Sequence, residues 1–216
     1  RYVQRVVEFL PNGVRSATPV ISITRFATHV LVELANGASE WFDAIVLATH
    51  SDQALSLLTA ATVAERNALT GISYLPSRAS LHTDASVMAT RSAAWSSWNY
   101  RTQVCTVRPE PVRITYHLNR IQRLDTRGNY FLSLNPADDV DPALVIGEFQ
   151  FAHPVFTSET LTSQRILERL SGTNRTYYAG AYMGHGFHED GYRSGEGAAA
   201  AVNRASYPVT TQEVHR

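Results

Sequence analysis

Glycine recurs at Gly180, Gly184, Gly186, Gly191 and Gly195 within the run Tyr178-Ala-Gly-Ala-Tyr-Met-Gly-His-Gly-Phe-His-Glu-Asp-Gly-Tyr-Arg-Ser-Gly195, and small residues continue from Gly197 through Ala201. Without a β-carbon, Gly180, Gly184 and Gly186 let the backbone turn sharply and lie close against a flat ligand. Gly191 and Gly195 are expected to do the same at the start of a helix. A helix start carries unpaired N–H groups and about half a unit of positive charge, which suits an electron-rich ligand edge. The chemistry this run offers is binding; the sequence singles out no catalytic residue.

Other chemistries are weaker. His185, His188, Glu189 and Asp190 place imidazole and carboxylate groups within a few residues, but their spacing matches no zinc-protease pattern, so no metal is expected. There is no G-x-S-x-G elbow for a serine nucleophile. A phosphate-binding G-x-G-x-x-G loop is also missing: Gly184-His-Gly186 begins like one, but Glu189 stands where the third glycine belongs. The sequence contains no lysine, so all 19 cationic side chains are arginine and Schiff-base chemistry is excluded.

At 216 residues and 44% hydrophobic content, the chain is long enough for one large or two small packed domains. Acidic and basic residues balance at 19 each, which argues against nucleic acid or an anionic membrane surface as a partner. Cys105 is the only cysteine, so no internal disulfide forms and a reducing, cytoplasmic setting is expected. The purest apolar run, Ala44 to Ala48, is far short of the roughly 20 residues that cross a bilayer, and no signal-peptide pattern opens the chain. Arg1 leads directly into a helical pattern of Tyr2, Val3, Val6, Val7 and Leu10, from which a preceding segment is expected.

The elements that must position the glycine run follow from periodicity and turn residues. Strands are expected over Val20–Arg25 and through Val30, Val32 and Leu34, closed by an Asn36-Gly37 hairpin, then at Trp41-Phe42. Ala44 to Ala48 reads as a strand buried on both faces. Short helices are expected near Asp52–Leu58 and Ala64–Leu69, the second opened by a Thr62-x-x-Glu65 capping box. Strands at Ser77–His82, Ala93–Tyr100, Val112–His117, Tyr130–Leu134 and Val145–Gln150 would make a mostly antiparallel sheet. A helix over Ser158–Leu170, with Leu161, Ile166, Leu167 and Leu170 on its apolar side, leads to a strand at Thr176–Ala179, the glycine loop and a small-residue helix. Tyr207 to Arg216 reads as a polar tail.

The glycine run resembles, nearly position by position, the C-terminal AGxxxGxGFHEDGxRSG signature of the predicted NAD/FAD-binding, amine-oxidase-like proteins. A second segment, Phe42-Asp43-Ala-Ile-Val-Leu-Ala-Thr49-His50-Ser-Asp-Gln-Ala-Leu, resembles the strand ending in Ala-Thr that passes the cofactor in the same flavoproteins. The likeness extends through His82-Thr-Asp-Ala-Ser, Ala94-Trp-Ser-Ser-Trp-Asn-Tyr100, Ile114-Thr-Tyr-His-Leu-Asn-Arg120, Gly147-Glu-Phe and His153-Pro154.

This resemblance implies an α/β (α+β) chain, the C-terminal part of a two-domain FAD-binding fold with a sheet-rich substrate domain inserted between pieces of the FAD-binding domain. It divides the chain into an FAD-binding piece at 1–53, a substrate domain at 54–171, a C-terminal FAD-binding strand-loop-helix at 172–206 and a tail. FAD is the implied cofactor, held by Ala48, Thr49, His50, Gly180, Ala181, Gly191, Arg193, Ser194 and Gly195. Trp95, Trp98, Tyr100 and Tyr116 are the implied wall of a substrate pocket. The implied reaction is oxidation of a C–N or C–H bond in a small amine or unsaturated lipid-like molecule, with hydride passing to flavin N5. The pyrophosphate site would lie in a missing N-terminal half, which is the implied partner. Ala181 departs from the acidic residue many relatives carry, and the absent lysine departs from several true amine oxidases. The plain structural alternatives are a glycine-rich helix start packed on a sheet and, for the aromatics, ordinary core. A truncated or degenerate flavoprotein serving as a non-catalytic binding module is the alternative function.

Overall fold

A computed structural model describes residues 2–101, 113–136, 139–205 and 207. The chain runs through α1 (Tyr2–Glu8), then a meander of β1 (Val20–Arg25), β2 (Val30–Leu34) and β3 (Ser39–Phe42), then β4 (Ile45–Leu47), α2 (Ser51–Leu57) and α3 (Val63–Thr70). Next come β5 (Tyr74–His82), β6 (Trp98–Arg101), β7 (Arg113–His117), α4 (Leu118–Gln122), β8 (Phe131–Leu134) and β9 (Val145–Pro154). The last elements are α5 (Ser158–Leu170), β10 (Thr176–Tyr178) and α6 (His188–Arg204). Two compact units result, one from Arg1–Ser73 together with Pro154–Arg216, the other from Tyr74–His153.

In the first unit the meander forms as its alternation predicts. Val30, Val32 and Leu34 are buried on one face of β2, and antiparallel pairs such as Ile23 with Val32 and Val32 with Glu40 set the register. Gly37 takes a φ of 85°, and the Asn36 side chain accepts a hydrogen bond from the Ala38 N–H, closing the hairpin. β4 and β10 form a two-stranded parallel sheet. The expectation that β4 is buried on both faces is corrected: Leu47 is buried, but Val46 is 41% exposed. In the described residues β4 has one strand partner and one covered side, whereas a double-faced burial needs helices on both sides of the sheet.

The helices of this unit pack closely because small residues meet. A β-carbon at Gly71, after α3, would sit 2.2 Å from Ser163 Oγ on α5. The buried side of α5 is accordingly Thr160, Ser163, Gln164 and Leu167, and Leu161, expected on the apolar side, is exposed. This packing also narrows the insertion expected over 54–171. Ala54, Ala68 and Leu69 are buried within the first unit, so α2, α3 and α5 belong with its flanks and the inserted unit is 74–153. On α1 the apolar Val3 and Val6 remain exposed. Tyr207, expected to open a polar tail, instead packs on the core, sharing a 2.7 Å hydroxyl contact with Tyr177 under the Arg175 guanidinium.

One buried charge cluster fastens the unit together. The Arg25 guanidinium on β1 forms a two-pronged ion pair with Glu65 on α3, and the side chains are 6% and 2% exposed. Glu65 also accepts from the Thr62 N–H, completing the expected capping box, and from the Tyr178 hydroxyl on β10 at 2.9 Å. Burial alone would raise the Glu65 pKa, but the hydrogen bonds from Arg25, Thr62 and Tyr178 outweigh it and hold it down to about 2.

The inserted unit is a five-stranded sheet in the order β6-β7-β8-β5-β9. β5 pairs antiparallel with β8, and β7 with both β6 and β8. The strand expected over Ala93–Tyr100 shortens to β6, because the Asn99 side chain accepts from the Ser96 N–H and donates to the Ser96 carbonyl, bending the chain ahead of it. Val112, expected to open a strand, and Cys105 lie outside the described residues.

Glu65→Gln should lower unfolding stability by about 3–5 kcal/mol, since it leaves the Arg25 charge buried without its partner. In the parent protein, folding lowers the Glu65 pKa from near 4.5 to about 2, so the unfolded chain takes up the proton first. The stabilisation is complete above about pH 4.5 and drains away as pH falls towards 2. Urea titrations across that window should show this acid loss in the parent and its near absence in the variant.

Candidate functional site

Parallel pairing of β4 with β10 carries the first step, because it brings together two motifs that are far apart in sequence. Tyr178 aligns with Leu47, and the Ala179 N–H donates to the Leu47 carbonyl at 3.0 Å. The carboxyl ends of both strands therefore lie side by side, with Ala48 and Thr49 leaving one and Gly180 and Ala181 leaving the other. Ligands of parallel sheets collect at this edge. Ala48 and Thr49 are exposed, and His50 is partly so at the start of α2. The His50 N–H donates to Gln53 Oε1 at 3.3 Å, which fixes that turn.

At Gly180 the backbone takes a φ of 153°, and a β-carbon there would meet the Tyr182 ring at 2.6 Å. Ser194 on α6 then locks the turn: its Oγ accepts from the Gly180 N–H at 2.9 Å and lies 3.1 Å from the Gly180 carbonyl. The Gln164 side-chain amide on α5 donates to the carbonyls of Tyr182 and Gly184 at 2.8 and 2.7 Å. Gly191 lies against Ala181, at ordinary contact distance from where its β-carbon would be. Gly180, Ala181, Gly191 and Ser194 are thus one assembly. Arg193 is on the exposed side of α6, paired with Glu189 at 2.9 Å.

The glycine at 191 does not start the helix. α6 begins at His188, with Phe187 as its cap, and Asp190 accepts from the Phe187 N–H at 2.9 Å. Glu189 and Asp190 occupy the first turn. Two carboxylates there offset the positive end of the helix, so the anion-stabilising role expected of a start at Gly191 is not carried by this arrangement. Gly195 and Gly197 sit inside α6, where a β-carbon would meet nothing within 4 Å. A cavity of about 520 Å³ runs along the same helix, lined on α6 by Asp190, Arg193, Ser194, Gly197, Ala201 and Arg204 and on α5 by Glu168. Gly197, Ala201 and Arg204 were not singled out from sequence, although their spacing from Asp190 and Ser194 marks one helix face.

In the inserted unit, register puts Trp98 opposite Tyr116, Tyr116 opposite Leu132, and Leu132 opposite Leu81. A second row across the same face is Tyr100, Ile114, Leu134 and Ala79. Three of the four expected wall aromatics therefore share one sheet face. Trp95 does not join them: it packs edge-on against His117 and Phe131, whose strand positions point to the opposite face. That opposite face buries polar groups instead. His82 Nε2 lies 2.9 Å from Ser133 Oγ, while its Nδ1 accepts from the Asp84 N–H at 3.2 Å. With Nδ1 accepting, Nε2 carries the proton and donates to Ser133, which is the wrong arrangement for a base activating that serine. Burial, opposed by the Asp84 charge, pushes the His82 pKa down.

Among the described residues no group of three or more His, Cys, Asp and Glu side chains is placed to hold a metal ion, and no helix is long and apolar enough to cross a membrane.

The fold is the mixed α/β arrangement of the amine-oxidase-like proteins. Similar solved structures include a CLA-producing fatty acid isomerase from P. acnes, with a TM-score of 0.64, 16% identity and coverage of 93% of this chain and 50% of the other. A putrescine oxidase redesigned for cofactor binding gives a TM-score of 0.64 at 11% identity, with coverage of 94% and 52%. A reduced UDP-galactopyranose mutase gives 0.61 at 11% identity, with coverage of 94% and 51%. The chain spans about half the length of each of these proteins. No family model matches the sequence, and no curated protein matches it.

Gly180→Val should cost about 1–3 kcal/mol through the strained φ and the Tyr182 contact. Gly195→Ala should instead leave stability unchanged or raise it by up to about 1 kcal/mol, as alanine favours a helix interior and the position is open. Thermal melting of the two variants beside the parent checks both signs.

Proposed function

We propose that this chain is part of an FAD-dependent oxidoreductase that oxidises a C–N or C–H bond of a small molecule. The observation that carries the reading is the convergence of Ala48-Thr49-His50 and the Gly180-Ala181 turn at the carboxyl edge of the β4–β10 pair. The residues present fit a flat cofactor. Gly195 and Gly197 weaken a helix, each by about 1 kcal/mol relative to alanine, yet no internal contact requires them. Gly197 leaves α6 bare beside an open cavity and Gly195 leaves a second open position on the helix, as a closely approaching planar ligand would need.

In this reading Ala48, Thr49, His50, Gly180, Ala181, Gly191, Arg193, Ser194 and Gly195 hold the flavin, and the first unit is the cofactor-binding piece. When bound, FAD supplies the hydride-accepting chemistry. The chain's own contribution is placement: Ser194 fixes the Gly180 turn, and Gln164 fixes the loop that follows. The inserted unit, with Trp98, Tyr100 and Tyr116 on one face, is the substrate-bearing unit. Among the proteins of similar fold are an amine oxidase and a fatty acid isomerase, which supports an oxidoreductase or a related redox enzyme acting on a small molecule.

Gly195→Leu is the test, because the open site lets the fold tolerate the side chain while the flavin loses its approach. The variant should melt at or above the parent temperature and lose most of its flavin absorbance after reconstitution with FAD and desalting. Flavin retention equal to that of a flavin-binding parent would overturn the contact, and a parent that takes up no FAD in its complete form would favour the non-catalytic module.

A further inference from the structure

We propose that the inserted unit binds a single halide ion, chloride under ordinary conditions, between β6 and β7. The site is independent of the flavin reading. Arg101 and Arg113 stand directly opposite each other in the antiparallel pairing of these strands. Like charges facing across two strands repel, so the pair calls for negative charge beside it. Asp139 supplies one such charge, with its Oδ2 at 3.6 Å from Arg101 Nη1 and 3.7 Å from Arg113 Nη1. Both distances are too long for a hydrogen bond. Arg113 Nη1 is buried and has no hydrogen-bond partner among the described residues. A buried donor in that position costs free energy until an acceptor meets it. Two guanidinium groups against one carboxylate also leave a surplus of one positive charge. The next arginine on this face, Arg78, is matched by Glu148 at 3.6 Å and adds nothing to the surplus.

The strands beneath the arginines add a further donor. A cavity of about 20 Å³ is lined by Arg101, Arg113, Thr115, Ser133 and Asp139. Ser133 Oγ accepts from His82 Nε2 at 2.9 Å and lies 2.7 Å from Thr115 Oγ1. The two hydroxyls carry two hydrogens and share one bond, and the protonated His82 nitrogen cannot accept the second. One hydroxyl hydrogen is therefore left over, and both hydroxyls line the cavity. Guanidinium and hydroxyl donors thus converge on one place. A water molecule there would accept a hydrogen bond and leave the surplus charge uncompensated, whereas a halide ion meets both needs. The volume holds about one small particle, which excludes phosphate and sulfate. Arg101, with its side chain 54% exposed, gives the ion a way in from solvent.

The experiment melts the full chain while sodium gluconate is replaced by sodium bromide at constant ionic strength, so that general screening is held fixed. A saturable rise in melting temperature is expected, and chloride should reproduce it, because a ligand that binds only the folded state stabilises that state. Arg113→Gln should abolish the rise. Arg101→Gln should weaken bromide binding about tenfold or more, and Asp139→Asn should tighten it by about as much through loss of the competing carboxylate. Arg78→Gln should leave the response unchanged. Circular dichroism identifies a misfolded Arg113→Gln, and Arg101→Gln, at an exposed position, then decides. Crystals soaked in bromide should show anomalous scattering between the two guanidinium groups. The proposal is overturned by equal melting in gluconate and bromide, which would mean a bridging water or direct closure of the Arg113–Asp139 pair. It is also overturned by an unchanged response in a folded Arg101→Gln, by a lost response in a folded Asp139→Asn, or by no anomalous scattering at that place. Gly195→Leu, which tests the flavin reading, should keep the bromide response, so failure of either reading leaves the other measurable.

Discussion

Arg25 and Glu65 are both removed from water, and the first unit depends on how that removal is made tolerable. Two buried charges cost several kcal/mol each unless every polar atom around them is engaged. Here the engagement comes from three separate stretches: the guanidinium from β1, the carboxylate and its Thr62 cap from α3, and the hydroxyl of Tyr178 from β10. Arg25 also donates to the Ala60 carbonyl at 2.7 Å, so the loop before α3 is tied in as well. Burial and the neighbouring Glu65 charge raise the Tyr178 pKa, which keeps the phenol a donor across the physiological range. Because the same strand runs directly into the glycine turn, the cluster sets where that turn begins.

The glycine run divides into two physical kinds. Gly180 and Gly184 answer to their own surroundings, since a β-carbon would strike the Tyr182 ring in one case and the Asp190 carboxylate in the other. Gly195 and Gly197 answer to nothing internal. A motif that looks uniform in sequence thus mixes residues that build the turn with residues that keep a surface clear, and only the latter speak directly to a ligand.

Much of the fold was legible in local chemistry. β1, the Asn36-Gly37 hairpin, the Thr62–Glu65 capping box and both limits of α5 follow from alternation, turn preference and capping. What escaped depended on partners remote in sequence. Leu161 has the helical spacing of a core residue, but the meeting of Gly71 with Ser163 turns α5 so that small polar residues face inward. Trp95 belongs to the same short aromatic run as Trp98, and the Ser96–Asn99 bend sends it to the other side of the sheet. In the candidate site, the pairing of Ala48-Thr49 with Gly180 was readable only through family likeness, because no local rule joins strands from opposite ends of a chain. The start of α6 was misplaced because glycine at 191 outweighed the Asp190 cap that lies beside it.

The division of the first unit into segments before Tyr74 and after His153 has a kinetic meaning. Every strand pair of the inserted sheet joins residues within one continuous stretch of chain, whereas β10 must cross some 130 positions to find β4. Non-local pairing of this sort is slow, because loop closure precedes any reward in contacts. During synthesis Arg25 and Glu65 emerge early and can associate before Tyr178 exists. Docking of β10 then completes the charge cluster, and α6, which follows it in the chain, locks the glycine turn through Ser194.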